Sequence, residues 1–164
     1  DYPLPIGHEQ TISQPYIVAL MTELARPKPT DRVLEIGTGC GYQAAVLARI
    51  VRHVYTIEII DDLARAASER LARLGVRNVT VRSGDGYEGW PSEAPFDAVV
   101  VTAAPERIPA VLVAQLKPGG RLVIPAGPPN AQKLLVVEKD AAGATRTIDV
   151  AAVRFVPMVP KKKL

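Results

Sequence analysis

The chain has 164 residues, 20 Lys and Arg against 17 Asp and Glu, and 48% hydrophobic residues, the balance of one soluble domain long enough to bury a core. No apolar run approaches the ~20 residues that cross a bilayer, and one cysteine, Cys40, with only His8 and His53 beside it excludes an internal disulfide and a Cys/His zinc site. The net charge of +3 is scattered apart from the lysines at 161–163, read as a solvated tail, so neither nucleic acid nor a membrane is expected as a partner.

The sequence opens on Asp1-Tyr2-Pro3-Leu4-Pro5 without an initiator Met, as the middle of a longer chain does. The first twenty residues carry no basic stretch followed by an apolar one, so a reducing, cytoplasmic setting is expected, with the protein a monomer. Ile17, Leu20, Met21 and Leu24 recur at helical spacing and predict a helix over 15–25, capped by Ser13 or Gln14 and stopped by Pro27 and Pro29. A short apolar strand over 32–36 then enters Gly37-Thr38-Gly39-Cys40-Gly41, and a helix over 42–51 follows. The next strand, 54–58, ends on Glu58. Leu63, Ala66, Ala67, Leu71 and Leu74 make one stripe of a helix over 61–74 that Gly75 ends. Its opposite side, with Asp61, Arg65, Glu69 and Arg73 alternating in sign, reads as a solvated face.

A third strand, 79–83, leads to Gly84-Asp85-Gly86, and a nearly wholly apolar fourth, 96–101, suits burial on both faces of a parallel sheet. A helix over 106–115, a Lys117-Pro118-Gly119-Gly120 turn, and a fifth strand over 121–124 closed by Pro125 come next. The runs 133–138 and 145–153 flank a polar turn and predict an antiparallel hairpin at the sheet edge. Strands alternating with helices predict an α/β fold, a doubly wound and mostly parallel sheet in one domain.

Gly37-x-Gly39-x-Gly41 leaves a strand and opens a helix, where backbone approaches a ligand closely and helix N–H groups are free. Glu58, seventeen positions past Gly41, can accept both hydroxyls of a ribose, and Asp85 can accept from an adenine amino group. The dinucleotide fingerprint needs a third glycine where this chain has Tyr42, which disfavours a pyrophosphate. S-adenosylmethionine, which has no phosphates, suits the spacing better than NAD.

Leu4-Pro5-Ile6-Gly7-His8-Glu9-Gln10-Thr11-Ile12-Ser13 followed by Pro15 resembles the signature of the protein-L-isoaspartate O-methyltransferases. Val33-Leu34-Glu35-Ile36 running into the glycine loop, Gly84-Asp85-Gly86, Ala94-Pro95-Phe96-Asp97, the Lys-Pro-Gly-Gly turn and Arg154-Phe155-Val156-Pro157 resemble that family in the same order. The glycine loop and that turn recur across many methyltransferases. The Pro-Ile-Gly to Ile-Ser stretch carries the assignment.

The resemblance implies a Rossmann-like methyltransferase fold that moves the methyl of S-adenosylmethionine to the α-carboxylate of L-isoaspartyl residues in damaged proteins, leaving S-adenosylhomocysteine. It implies Ser13 as the hydroxyl between methyl and carboxylate, with Gln10, Thr11 and Ile12 also wrapping the cofactor. Ile36, Gly37, Thr38, Gly39, Cys40 and Gly41 would form the cofactor loop. Glu58, Ile59, Asp85, Gly86 and Thr102 would bind its nucleoside and far side, and Ala103 and Ala104 would give the peptide a flat surface. No metal is implied. Relatives usually carry a helical segment ahead of the Pro-Ile-Gly stretch, where this sequence begins, so peptide binding is the function at stake. The alternatives are another acceptor, RNA or a small molecule, and a cofactor-binding module without catalysis. Ser13 also sits where an ordinary helix cap would, and His8 reads as structural.

Overall fold

The structure, a computed structural model, describes residues 1–161, and Lys162 and Lys163 of the expected tail lie outside the described residues. The chain opens with a separate antiparallel hairpin of β1 (Leu4–Gly7) and β2 (Gln10–Ile12). Periodicity does not announce it. Its turn places His8 and Glu9 at φ of 51° and 58°, a double left-handed turn that Asn-Gly more often supplies.

α1 (Pro15–Ala25) begins with proline in its first turn, and β3 (Arg32–Ile36), α2 (Tyr42–Ala48), β4 (His53–Glu58), α3 (Asp61–Arg73) and β5 (Val79–Ser83) follow in alternation. After a single 3-10 turn at Gly86–Glu88 come β6 (Phe96–Val101), α4 (Ala110–Ala114), β7 (Leu116–Ala126), β8 (Lys133–Lys139) and β9 (Thr145–Ala152). The seven strands β3 to β9 form one sheet in the order β5-β4-β3-β6-β7-β8-β9. The pairs among β5, β4, β3, β6 and β7 are parallel, and β8 and β9 close the edge as the expected antiparallel hairpin.

Alternate residues of the central strands face opposite layers. Val33, Val54, Ala98 and Val100 meet Met21 of α1 and Ala44 and Leu47 of α2, whereas Leu34, Ile57, Val99 and Leu122 meet Leu112 of α4 with Trp90 and Phe96. The winding reverses between β3 and β6, and in sheets of this kind the crevice at the reversal, beyond the carboxyl ends of the strands, receives ligands.

Two elements differ in length from the periodic reading for reasons that involve proline. The helix after β6 starts only at Ala110, because Pro109 disfavours helical backbone at Ile108. β7 extends on both sides of the expected strand. Leu116 already pairs with Phe96, and the Lys-Pro-Gly-Gly turn is a bulge opposite Asp97. Pro125 stays within β7 since, beyond Val123, the strand pairs with β8 and no longer with β6.

Candidate active site

The loops that leave β3 and β6 are bolted together. Thr102, just past β6, donates its hydroxyl to the carbonyls of Ile36 and Gly37 at 3.0 and 2.7 Å, and Gly37 donates its N–H to Ile57 of β4 at 2.8 Å. Gly37 has φ +93°, and a Cβ there would run into the Thr102 hydroxyl, so this loop closes only around glycine. The next turn brings Gly39 to β4, where its N–H donates to Glu58 Oε2 at 2.8 Å while Ile60 donates to Oε1 at 3.0 Å. Glu58 is 5% exposed. Each of its oxygens takes one backbone N–H and keeps a second lone pair for a ligand.

These loops enclose a cleft of about 140 Å³. Of the residues that the sequence pointed to, Gln10, Thr11, Ile36, Gly37 and Gly39 line it, as do Glu58, Ile59, Gly86, Thr102 and Ala103. Ile12, Ser13, Thr38 and Cys40 line a small adjoining recess. Ser13 also borders a larger groove of about 690 Å³, between α1 and the segment 152–156 that leaves β9. Thr11, Thr102 and Val156 line both groove and cleft, so the two meet beside Ser13. The first residue before α1 is Gln14, with no side-chain cap, and the Ser13 hydroxyl is therefore not engaged as a helix cap.

Three expected residues line none of these spaces. Gly41 turns the chain into α2 at φ +89° and packs on Leu71. Asp85 uses one oxygen on the Tyr87 N–H, capping the 3-10 turn, and the other on the Lys161 N–H, both at 2.9 Å. Ala104 is buried, its N–H bound to Val156 and its carbonyl to Met158 at 2.8 Å each. The C-terminal stretch it holds supplies cleft-lining residues that sequence reasoning missed.

Val156, Pro157, Met158 and Val159 line the cleft, as does Ile6 of β1. Arg154-Phe155-Val156-Pro157 was a visible motif, but only the fold brings it across the end of the sheet. Gln132 pins it there: its amide accepts from Phe155 N–H at 2.6 Å and donates to Phe155 carbonyl at 3.1 Å. Tyr87 donates to the Met158 carbonyl at 3.0 Å. Burial, followed by the nearby Asp85 and Glu106, pushes its phenol up, so it stays the donor at neutral pH.

The family described as Protein-L-isoaspartate(D-aspartate) O-methyltransferase matches residues 1–163. The chain belongs to this isoaspartate methyltransferase family. It is 59% identical to the Polaromonas protein named Protein-L-isoaspartate O-methyltransferase 1, over 94% of this chain and 66% of that protein. The Cupriavidus necator protein of the same name is 61% identical, over 97% of this chain and 62% of its own length. The chain thus spans just under two thirds of these isoaspartate methyltransferases. A solved Plasmodium falciparum structure of that name, in complex with S-adenosyl-L-homocysteine, is 26% identical with a TM-score of 0.83, over 99% of this chain and 81% of its own.

Proposed function

We propose that this chain is the transferase unit that esterifies the α-carboxylate of L-isoaspartyl residues in damaged proteins, drawing the methyl group from S-adenosylmethionine. The observation that carries the reading is the junction at Ser13, where a cleft floored by glycine backbone and a buried carboxylate meets a peptide-sized groove. The residues present fit the cofactor. Glu58 keeps two free lone pairs for a ribose diol, and Gly37 and Gly39 bring bare backbone to the cleft beside it. The family membership and the S-adenosylhomocysteine bound to the Plasmodium protein support the same assignment.

When bound, S-adenosylmethionine supplies a methyl group made electrophilic by its sulfonium. The chain's task is to hold an acceptor in line with it. An aspartyl-type carboxylate of pKa ~4 is ionised at neutral pH and requires no base. The groove matches that demand, since among the described residues lining it the one ionisable side chain is Arg154, a cation suited to an anionic acceptor. An amine or hydroxyl acceptor would call for a base that this lining does not offer. The Ser13 hydroxyl orients the carboxylate, and the apolar walls from Ile17, Val153 and Phe155 strip water from it, so alignment and desolvation supply the acceleration. The same reading places the enzyme in the cytoplasm as a monomer, in keeping with the unpaired Cys40.

Incubation with radiolabelled S-adenosylmethionine and two matched peptides, one isoaspartyl and one aspartyl, tests the proposal. Base-labile label on the isoaspartyl peptide alone is expected. Cofactor binding with no label on either peptide overturns it in favour of a binding module.

A further inference from the structure

Glu35 stands on β3 two residues before Gly37 and has no solvent exposure. Its Oε1 lies 2.5 Å from Thr56 Oγ1 on β4, which lies 2.6 Å from Thr38 Oγ1 in the glycine loop. Three side chains from two strands and the cofactor loop thus form one buried chain of oxygens. Its Oε2 has no hydrogen-bond partner among the described residues.

No element around this carboxyl brings a cation to it. β4 presents a second carboxylate, Glu58, and β6 places Val100 beside it. α2 carries no ionisable side chain apart from the exposed Tyr42, and Tyr16, Glu23 and Arg26 of α1 and its end are exposed. Burial, against the opposing pull of the Thr56 hydrogen bond and with the help of Glu58, pushes Glu35 up to about 8. An ionised carboxylate with an unpartnered oxygen in a buried layer is far costlier than a neutral acid.

We propose that Glu35 is a positioning residue that acts as a neutral carboxylic acid, fixing Thr38 and with it the cofactor-binding glycine loop through Thr56. Because Oε2 is unpartnered, the acid proton has an oxygen to reach only from Oε1. Glu35 then donates to Thr56, Thr56 to Thr38, and Thr38 is left as a donor at the loop. Ionisation reverses the chain: Thr56 donates to Glu35, Thr38 donates to Thr56, and Thr38 becomes an acceptor. The new charge also faces Glu58, whose carboxylate holds the Gly39 N–H. Loss of the proton therefore takes the donor away from Thr38 and sets two like charges against each other beside the loop, and cofactor affinity falls.

The inference rests on the cofactor reading above, so the test has one arm that needs no ligand. Infrared difference spectra of wild type against Glu35→Gln at pH 7, both without ligand, are expected to show the C=O stretch of a protonated carboxylic acid in the wild type only. Its absence overturns the proposal. Calorimetry with S-adenosylhomocysteine follows; wild-type affinity is expected to fall about tenfold between pH 7 and pH 9, the linkage limit when only the neutral form binds. Glu35→Gln is expected to hold its affinity across that range, and a profile parallel to wild type overturns the proposal. Thr56→Val removes the hydrogen bond to Oε1 and cuts the chain while leaving the carboxyl itself in place, and should keep the acid band, shifted to higher frequency, yet bind more weakly at pH 7. Binding equal to wild type overturns the relay to Thr38, even if Glu35→Gln does not fold. Failure of the wild type to bind S-adenosylhomocysteine at pH 7 counts against the cofactor reading, whereas the infrared band tests Glu35 apart from it.

Discussion

Under the proposed function, Ser13, at the groove, and Glu58, in the cleft, have separable tasks. Ser13 lines the groove and the recess and touches no helix cap, so Ser13→Ala should lower turnover by about one to two orders of magnitude, the scale of a misaligned reactant. Affinity for S-adenosylhomocysteine should stay within several fold, and label transfer compared with calorimetry reads the two effects apart. Unchanged turnover would remove Ser13 from the reaction. Glu58→Ala should instead weaken cofactor binding by about 1.5–3 kcal/mol, the range for hydrogen bonds to a charged group. It also strands the N–H groups of Gly39 and Ile60. The position of Glu58 at the cleft was legible in the sequence, because the end of the second strand lies at the carboxyl edge of a parallel sheet. Asp85 had the same appearance, yet it is occupied by its own turn and by Lys161, contacts that no spacing rule announces.

At the scale of elements, the site depends on how loops from separate strands are clamped. Gly37→Ala combines a disfavoured φ with a collision on Thr102, and a cost of about 1–3 kcal/mol is expected. A lowered urea midpoint with an unchanged slope would show it. Gln132 does for the C-terminal segment what Thr102 does for the glycine loop. Gln132→Ala leaves two backbone groups of Phe155 unpaired, a local cost of about 1–3 kcal/mol. Amide exchange should speed up at Phe155 and Met158 while β3 and β6 remain protected. If exchange there were unaltered, Gln132 would not be the clamp. Helix and strand identities in the parallel part were readable from period alone, since Leu34, Val99 and Leu122 must face one layer while Val33, Val100 and Val123 face the other. The β1–β2 hairpin was not, because its turn uses His8 and Glu9 in a conformation their types rarely adopt.

Across the whole molecule, Glu35 contributes a pH response of its own. Its ordinary value is 4.5, and burial raises it to about 8 in the folded state, so the native protein holds one more proton than the unfolded chain between those values. The Glu35 contribution to stability should therefore fall as pH rises from about 4.5 to about 8 and level off above, because the unfolded state releases that proton first, whereas His53, lowered by burial, contributes in the opposite sense below about 6.5. Urea titrations at pH 5, 7 and 9 should show wild type losing stability relative to Glu35→Gln as pH rises; parallel profiles would assign the effect elsewhere.

By itself the sequence determined the doubly wound sheet, the glycine loop, Glu58 at its strand end and the edge hairpin, since each follows from local period or from the residues a turn demands. The tertiary structure alone decided that residues 156–159 wall the cleft, that Ala104 is held by that same segment and Asp85 by Lys161 just past it, and that Glu35 is sealed behind the loop with an unpartnered oxygen. Those outcomes depend on which distant backbone crosses the end of the sheet and how completely helices cover it. Burial and long-range pairing of that kind are properties of the packed chain, and no window of neighbouring residues contains them.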